Sequence, residues 1–353
     1  MATESKPLLE QVKKAAPKIL EAIIGWTIIT FYTILVFFQL LWSRIRGHKL
    51  CHRELHQRPE ILDKDWKHHY IQLATVRLHY VQAGEDDKPL MVLIHGFPEF
   101  WYSWRYQLEH FQKDYRVVAI DQRGYHESDR PMGVAEYTTK ILASDIEQLI
   151  KKLGYKNAVV GGHDWGAMVA WHVALNHPQV VKKLIICNVP HPGVATHNMR
   201  TNWKQFLASW YIFFFQVPLF PEFLVSTEDY KMMEVMMRGK KGGLRLHPEN
   251  FGPEEVEAWK YVFSQQGALT GPINYYRAAL RYPSKTTLND IVKPPTLVVW
   301  GTDDPFLIKE GAEQSISCCQ NGRVAYVEGA SHWVQQDDPV AVNRHIEEFL
   351  AEK

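Results

Sequence analysis

The chain has 353 residues, 46% hydrophobic and 22% charged, which is enough apolar material for a large folded core and rules out a disordered polymer. A formal net charge of +1, with no basic cluster interleaved with aromatics, excludes the usual footprint of a nucleic-acid binder. Cys51, Cys187, Cys318 and Cys319 are too few and too scattered for a disulfide framework, so they are expected as reduced thiols, the vicinal pair included.

The first predicted element is a membrane helix. After an N-terminal tail over residues 1–21, Ala22 to Trp42 (AIIGWTIITFYTILVFFQLLW) carries no charged side chain. As a helix it would extend about 30 Å, the thickness of a bilayer's hydrocarbon core. Trp26, Tyr32 and Trp42 suit the interfacial belts. A buried core helix would need polar relief on one face, and a cleaved signal peptide would need a shorter apolar run and a small-residue cleavage site; neither pattern is present. Lys6, Lys13, Lys14 and Lys18 before the run balance Arg44, Arg46, Lys49 and Arg53 after it, so flanking charge does not orient the span. The lack of an N-x-S/T sequon beyond it leans toward a cytosolic body. A single-pass membrane location, in the endoplasmic reticulum, is expected.

A polar connector over 43–65 follows. Its histidines and their neighbours, His52, His56, His68, His69 and His79, come without C-x-x-C or H-E-x-x-H spacing and are read as solvated or core residues rather than a metal site. HYIQLATVRLHYVQAG alternates about a short turn and predicts a β-hairpin. Then strands PLMVLIHG, YRVVAID, NAVVGG and VKKLIICN alternate with helical segments, the signature of βαβ units and a parallel sheet. The rhythm breaks over 190–285, a Met-rich and aromatic stretch containing WYIFFFQVPLFP and YKMMEVMMRG. It resumes over 286–353 with PPTLVVWG, GRVAYVEG and a closing helix. The expected architecture is an α/β body, 66–189 plus 286–353, interrupted by a helical cap at 190–285.

GHDWG, Gly162 to Gly166, has the shape of a nucleophile elbow, a strand-to-helix turn so sharp that only tiny residues fit two before and two after the nucleophile, here Asp164. Read alone, Asp164 could equally be a helix N-cap. Three further pieces support the elbow. HGFPE, His95 to Glu99, follows a strand and can aim backbone amides; those of Phe97 and Trp165 are nominated as the oxyanion hole. GTDDPF puts a carboxylate, Asp303 or Asp304, at the carboxyl edge of the sheet, and His332 in GASHW lies just past a later strand. Nucleophile, acid and histidine stand in the chain order of an α/β-hydrolase triad.

These four segments, with the insertion between them, resemble the epoxide hydrolases of the α/β-hydrolase superfamily over roughly residues 60–353, most nearly the members carrying an N-terminal membrane helix. The resemblance implies a mostly parallel central sheet flanked by helices, a helical cap, and no metal or organic cofactor. It places the acid at Asp304 and implies two cap tyrosines that hydrogen-bond the epoxide oxygen, Tyr276 in NYYRA and Tyr211 in SWYIFFFQVP. His95, Pro98, Trp165 and Phe215 are expected around the substrate. In GYHES, His126 stands where relatives carry glycine.

An aspartate suits this chemistry. Attack on an sp3 epoxide carbon by serine would leave an ether that water does not readily split, whereas a carboxylate leaves an ester. His332 would activate the hydrolytic water and Asp304 would orient His332. A dehalogenase would share the ester but want N–H donors for halide; a membrane-tethered, non-catalytic protein on this fold would be expected to lose a triad member. The aromatic and Met-rich cap suggests lipophilic substrates, such as fatty-acid epoxides, drawn from the bilayer.

Overall fold

The computed structural model describes residues 5–352, with side chains described from residue 23 onward. Eight strands form one sheet: β1 (Lys67–Gln72), β2 (Arg77–Ala83), β3 (Leu90–Ile94), β4 (Arg116–Ile120), β5 (Ala158–His163), β6 (Val181–Cys187), β7 (Thr296–Gly301) and β8 (Gly322–Val327). Their order is β1-β2-β4-β3-β5-β6-β7-β8. The β1–β2 hairpin is antiparallel and joins β4 antiparallel, while every later pairing is parallel.

Burial explains the two strand patterns. β3, β5 and β7 are buried along their whole length and read as unbroken apolar runs, because helices cover both faces of a parallel sheet. Edge strand β1 has no buried residue and carries Lys67, His68 and His69, polar side chains that protect an open edge. The order reverses direction at β3, so the carboxyl ends of β3 and β5 flank a topological switch point, where open α/β sheets place their ligand crevice.

Between β6 and β7 the chain is helical. Segments from Pro192–Thr201 through Trp203–Ala208, Trp210–Phe214, Phe220–Val225, Thr227–Arg238 and Pro253–Ser264 to Thr270–Arg281 lie over the carboxyl edge of the sheet, with no named strand among the described residues. Trp259 ties this cap to the body by donating its indole N–H to the Pro98 carbonyl at 2.6 Å.

The N-terminal helix runs Ser5–Ile45 and so extends past the apolar run at both ends. The tail expected over 1–21 is therefore helical from Ser5, and residues 1–4 and the side chains of Lys6, Lys13, Lys14 and Lys18 lie outside the described residues. Within the helix, Ile23–Ile45 is long and apolar enough to cross a membrane. Tyr32, Val36 and Leu40, one helical turn apart, pack against the folded body, with the Tyr32 and Trp210 rings 5.7 Å apart. Other positions stay open, with Trp26, Phe31 and Trp42 more than half exposed.

The connector is more than a spacer. The Glu228 and Asp229 amides donate to the Leu50 and His52 carbonyls at 3.3 and 2.9 Å, and the Asp229 carboxylate accepts from the Glu54 amide at 2.9 Å. His56 is buried between Asp229 and Glu257. These bonds fasten the connector to a cap turn at Glu228–Tyr230, where three successive residues have positive φ.

Candidate active site

Asp164 directly follows β5 and takes φ +50°, ψ −121°, a strained conformation for a residue with a Cβ; the helix Trp165–Asn176 starts at the next position. The turn closes because two glycines bracket it. A Cβ on Gly162 would run into the Gly166 carbonyl, and one on Gly166 into the Ile94 carbonyl of the neighbouring strand. This arrangement lifts the carboxylate above the sheet edge instead of letting it cap its own helix; no side-chain cap bond forms.

The loop after β3 meets it there. The Phe97 amide donates to Asp164 Oδ1 at 2.8 Å. Among the described residues the Trp165 amide makes no hydrogen bond to this carboxylate, so of the two nominated oxyanion donors Phe97 is the one engaged. Asp164 Oδ2 lies 3.4 Å from His332 Nε2, and His332 Nδ1 pairs with Asp304 Oδ2 at 2.6 Å. Asp304 is held on three sides: its Oδ1 accepts the amides of Phe306 and Leu307 at 2.7 and 3.0 Å, and its Oδ2 accepts from Asn188 Nδ2 at 2.8 Å. Asp303 points outward and pairs with Arg245.

Electrostatics follow from this crowding. Burial opposes a charged imidazole, but Asp304 and Asp164 outweigh it and push the His332 pKa up to about 10. Burial likewise opposes the Asp164 carboxylate, and His332, His163 and the Phe97 amide hold its pKa below the usual carboxylate range. The resting pair is therefore ionic. Burial, and then the Asp164 charge, drive the Tyr211 and Tyr276 hydroxyls well above 10, which keeps both as O–H donors.

The two tyrosines come from separate cap helices, Trp210–Phe214 and Thr270–Arg281, and their rings stand 5.7 Å apart. Two cavities of about 330 and 350 Å³ meet at this point, each lined by Asp164, Tyr211 and Tyr276. The first adds Phe215, Phe97, Trp210, Phe214 and His332; the second adds Trp165, Met168, Arg200 and Leu307. The expectation that His95 and Pro98 line substrate space is corrected, since neither borders either of these two cavities at Asp164. His95 is fully buried beneath the loop, where its Nε2 accepts from the Gln122 amide at 3.1 Å and its Nδ1 bonds the Gly96 carbonyl at 2.8 Å. Pro98 turns its carbonyl to Trp259.

Two residues in the same motifs escaped sequence reasoning. Glu99 and His163, both fully buried, pair at 2.7 Å under the elbow. Glu99 also accepts from the Gly96 backbone amide and from the side-chain Nε2 groups of Gln335 and Gln336, while His163 Nε2 donates to the His332 carbonyl at 2.8 Å. Burial alone would raise the Glu99 pKa, but His163 and the Gly96 amide keep it low. This network fixes the three loops carrying Phe97, Asp164 and His332 to one another. The only sequence signal was a charged residue at the end of an otherwise apolar run.

His126, at φ +38°, and His79 both direct Nδ1 to the same Asp121 oxygen, at 2.8 and 2.6 Å. Among the described residues these are the one group of three whose ligand atoms all lie close enough to one another to share a metal ion. Its spacing is that of two ring N–H groups hydrogen-bonded to one carboxylate.

A family model described as the alpha/beta hydrolase fold matches residues 89–339. The fold and the elbow thus define an α/β-hydrolase with a carboxylate at the nucleophile position. Over 326 residues the chain is 46% identical to "Epoxide hydrolase 1" of Caenorhabditis elegans, covering 92% of this chain and 80% of that one. It is 41% identical over 346 residues to "Epoxide hydrolase 4" of Homo sapiens, covering 95% of each. A solved Bacillus megaterium epoxide hydrolase in complex with an inhibitor superposes with a TM-score of 0.72 at 31% identity, covering 80% of this chain and all of that one. The chain belongs to the epoxide hydrolase family.

Proposed function

We propose that the protein hydrolyses lipophilic epoxides to vicinal diols through an ester on Asp164. The observation that carries this reading is one carboxylate sharing its cavities with two tyrosine hydroxyls and facing a histidine paired to a second carboxylate. Asp164 Oδ1 stays on the Phe97 amide while Oδ2 attacks the ring carbon; a C–O bond of the epoxide breaks and the alkoxide is stabilised by Tyr211 and Tyr276. Esterification removes the negative charge of Asp164. The imidazolium of His332 loses one of the two anions that raised its pKa, its proton passes by way of solvent to the alkoxide, and the neutral ring becomes a base at the stage where one is needed. It then takes a proton from water attacking the ester carbonyl, whose developing oxyanion remains on the Phe97 amide. Asp304 retains the resulting imidazolium, which protonates the departing diol oxygen.

Epoxide turnover is favoured over halide displacement because the groups facing Asp164 from the cap are O–H donors. The apolar lining by Phe214, Phe215, Met232 and Met236 supports lipophilic substrates, fatty-acid epoxides among them. The open apolar face of Ile23–Ile45 supports a single-pass anchor; the endoplasmic reticulum, with the body on the cytosolic side, is the proposed location. Purified protein should form diol from members of an epoxide panel and an Asp164→Ala variant should not; equal diol formation by the two would reject the reading, and absence of diol from both would favour a non-catalytic role.

A further inference from the structure

Resting on the reading of Ile23–Ile45 as a membrane span, we infer that the cap face formed by residues 203–220 is itself immersed in the bilayer, with lipid acyl chains as its partner. The first observation is depth. Thr33, Ile34, Phe37 and Phe38 form an open apolar groove with Val217 and Phe220 of the cap. They lie four to nine positions before Trp42, where the charge-free run ends, which at ~1.5 Å per residue is about 6–14 Å inside the span. The hydrocarbon core is only about 30 Å thick, so cap residues at that level are surrounded by acyl chains.

Composition agrees with depth. Residues 203–220 (WKQFLASWYIFFFQVPLF) contain a single charged side chain, Lys204, whose long stem can carry its ammonium group to the interface. Trp203, Leu207 and Leu219 are 69%, 50% and 77% exposed, an apolar surface that water would leave unsatisfied. The backbone here is mostly helical and so bonds itself, as a lipid-exposed segment must. Polarity then returns at the level where the span ends. His48 pairs with Glu228 at 2.8 Å, Arg53 bonds Ser226, and Asp229 gathers His56 and Lys260. Charged pairs at that height match a headgroup layer.

The immersed face is also the wall of the substrate cavity. Trp210 touches Tyr32 of the span on one side and lines the cavity that reaches Asp164 on the other, next to Phe214. A lipophilic epoxide dissolved in the acyl layer is thereby one side-chain layer from the site.

Spin labels test this on the full chain reconstituted in phosphatidylcholine vesicles. In a Cys51→Ser background, with that background alone as the control for residual labelling, single cysteines replace Leu219 in the cap, Phe38 in the span and Val340 in the closing helix, all well exposed. Relaxation by dissolved oxygen and by a water-soluble nickel chelate reports depth. Oxygen should dominate at Leu219→Cys and Phe38→Cys, and nickel at Val340→Cys. Nickel dominance at Leu219→Cys with oxygen dominance at Phe38→Cys would overturn cap immersion while leaving the anchor intact. Nickel dominance at both would overturn the anchor and the inference together.

Discussion

Replacing Tyr211 and Tyr276 by phenylalanine, singly and together, separates the two chemical steps. Both rings border both cavities at Asp164, and both hydroxyls are held protonated by burial. They stand on the cap side, whereas the hydrolytic apparatus of His332 and Asp304 stands on the sheet side. Proton donation to a leaving group is worth about 10²- to 10⁴-fold in rate, or ~2.7–5.4 kcal/mol. Two donors to one oxygen that share this equally would contribute roughly 1.4–2.7 kcal/mol each. Either single variant should therefore slow ester formation about 10- to 100-fold and the double variant about 10²- to 10⁴-fold, with ester hydrolysis changed little. The assay is rapid quenching of protein mixed with excess epoxide, followed by intact mass to count esterified chains over time. The reasoning is refuted if the double variant forms ester within about threefold of the parent rate, or if the substitutions slow hydrolysis and leave esterification alone.

Further outcomes concern the residues around His332. Asp304→Asn should lower turnover by about 10²- to 10⁴-fold, while Asp303→Asn, which loses only an exposed pair with Arg245, should stay within about twofold in steady-state kinetics. The His332 ring should titrate far above ~6.5 in the resting protein and lower in Asp164→Asn, as followed by imidazole NMR. Because the folded-state value is the higher one, the stability this ion pair contributes is complete below pH ~6.5 and is lost as pH rises toward about 10; the melting temperature of the parent relative to Asp164→Asn should fall across that window. Glu99→Gln removes a buried charge-assisted bond to His163 and should cost about 1.5–3 kcal/mol in urea unfolding. A Glu99→Gln chain as stable as the parent would remove that network from the account.

Much of the fold was legible because its signals are local. The hairpin shows period-two alternation, buried β3, β5 and β7 show unbroken apolar runs, and Gly162 and Gly166 mark the one turn where a Cβ has no room. Direction and depth were not legible. Asp303 and Asp304 are adjacent and chemically alike; only the strand exit that sends one to Asn188 and His332 and the other to Arg245 separates them. His95 sits in the same loop as Phe97, yet its ring points into the body to satisfy Gln122, so proximity in sequence misplaced it at the substrate. Glu99 and His163 are 64 positions apart and become a pair only when β3 and β5 lie side by side. Tyr211 and Tyr276 sit in an aromatic-rich cap where spacing carries no mark of function, and family resemblance alone singled them out.

The most direct measurement is a single turnover with protein in excess of epoxide in ¹⁸O water, followed by mass analysis of the Asp164 peptide and of the diol. Water that attacks the ester carbonyl leaves its oxygen on Asp164, so the peptide should gain one ¹⁸O and the diol should carry none from the solvent. A labelled diol with an unlabelled Asp164 peptide would mean that water opened the ring directly, and would contradict the ester route.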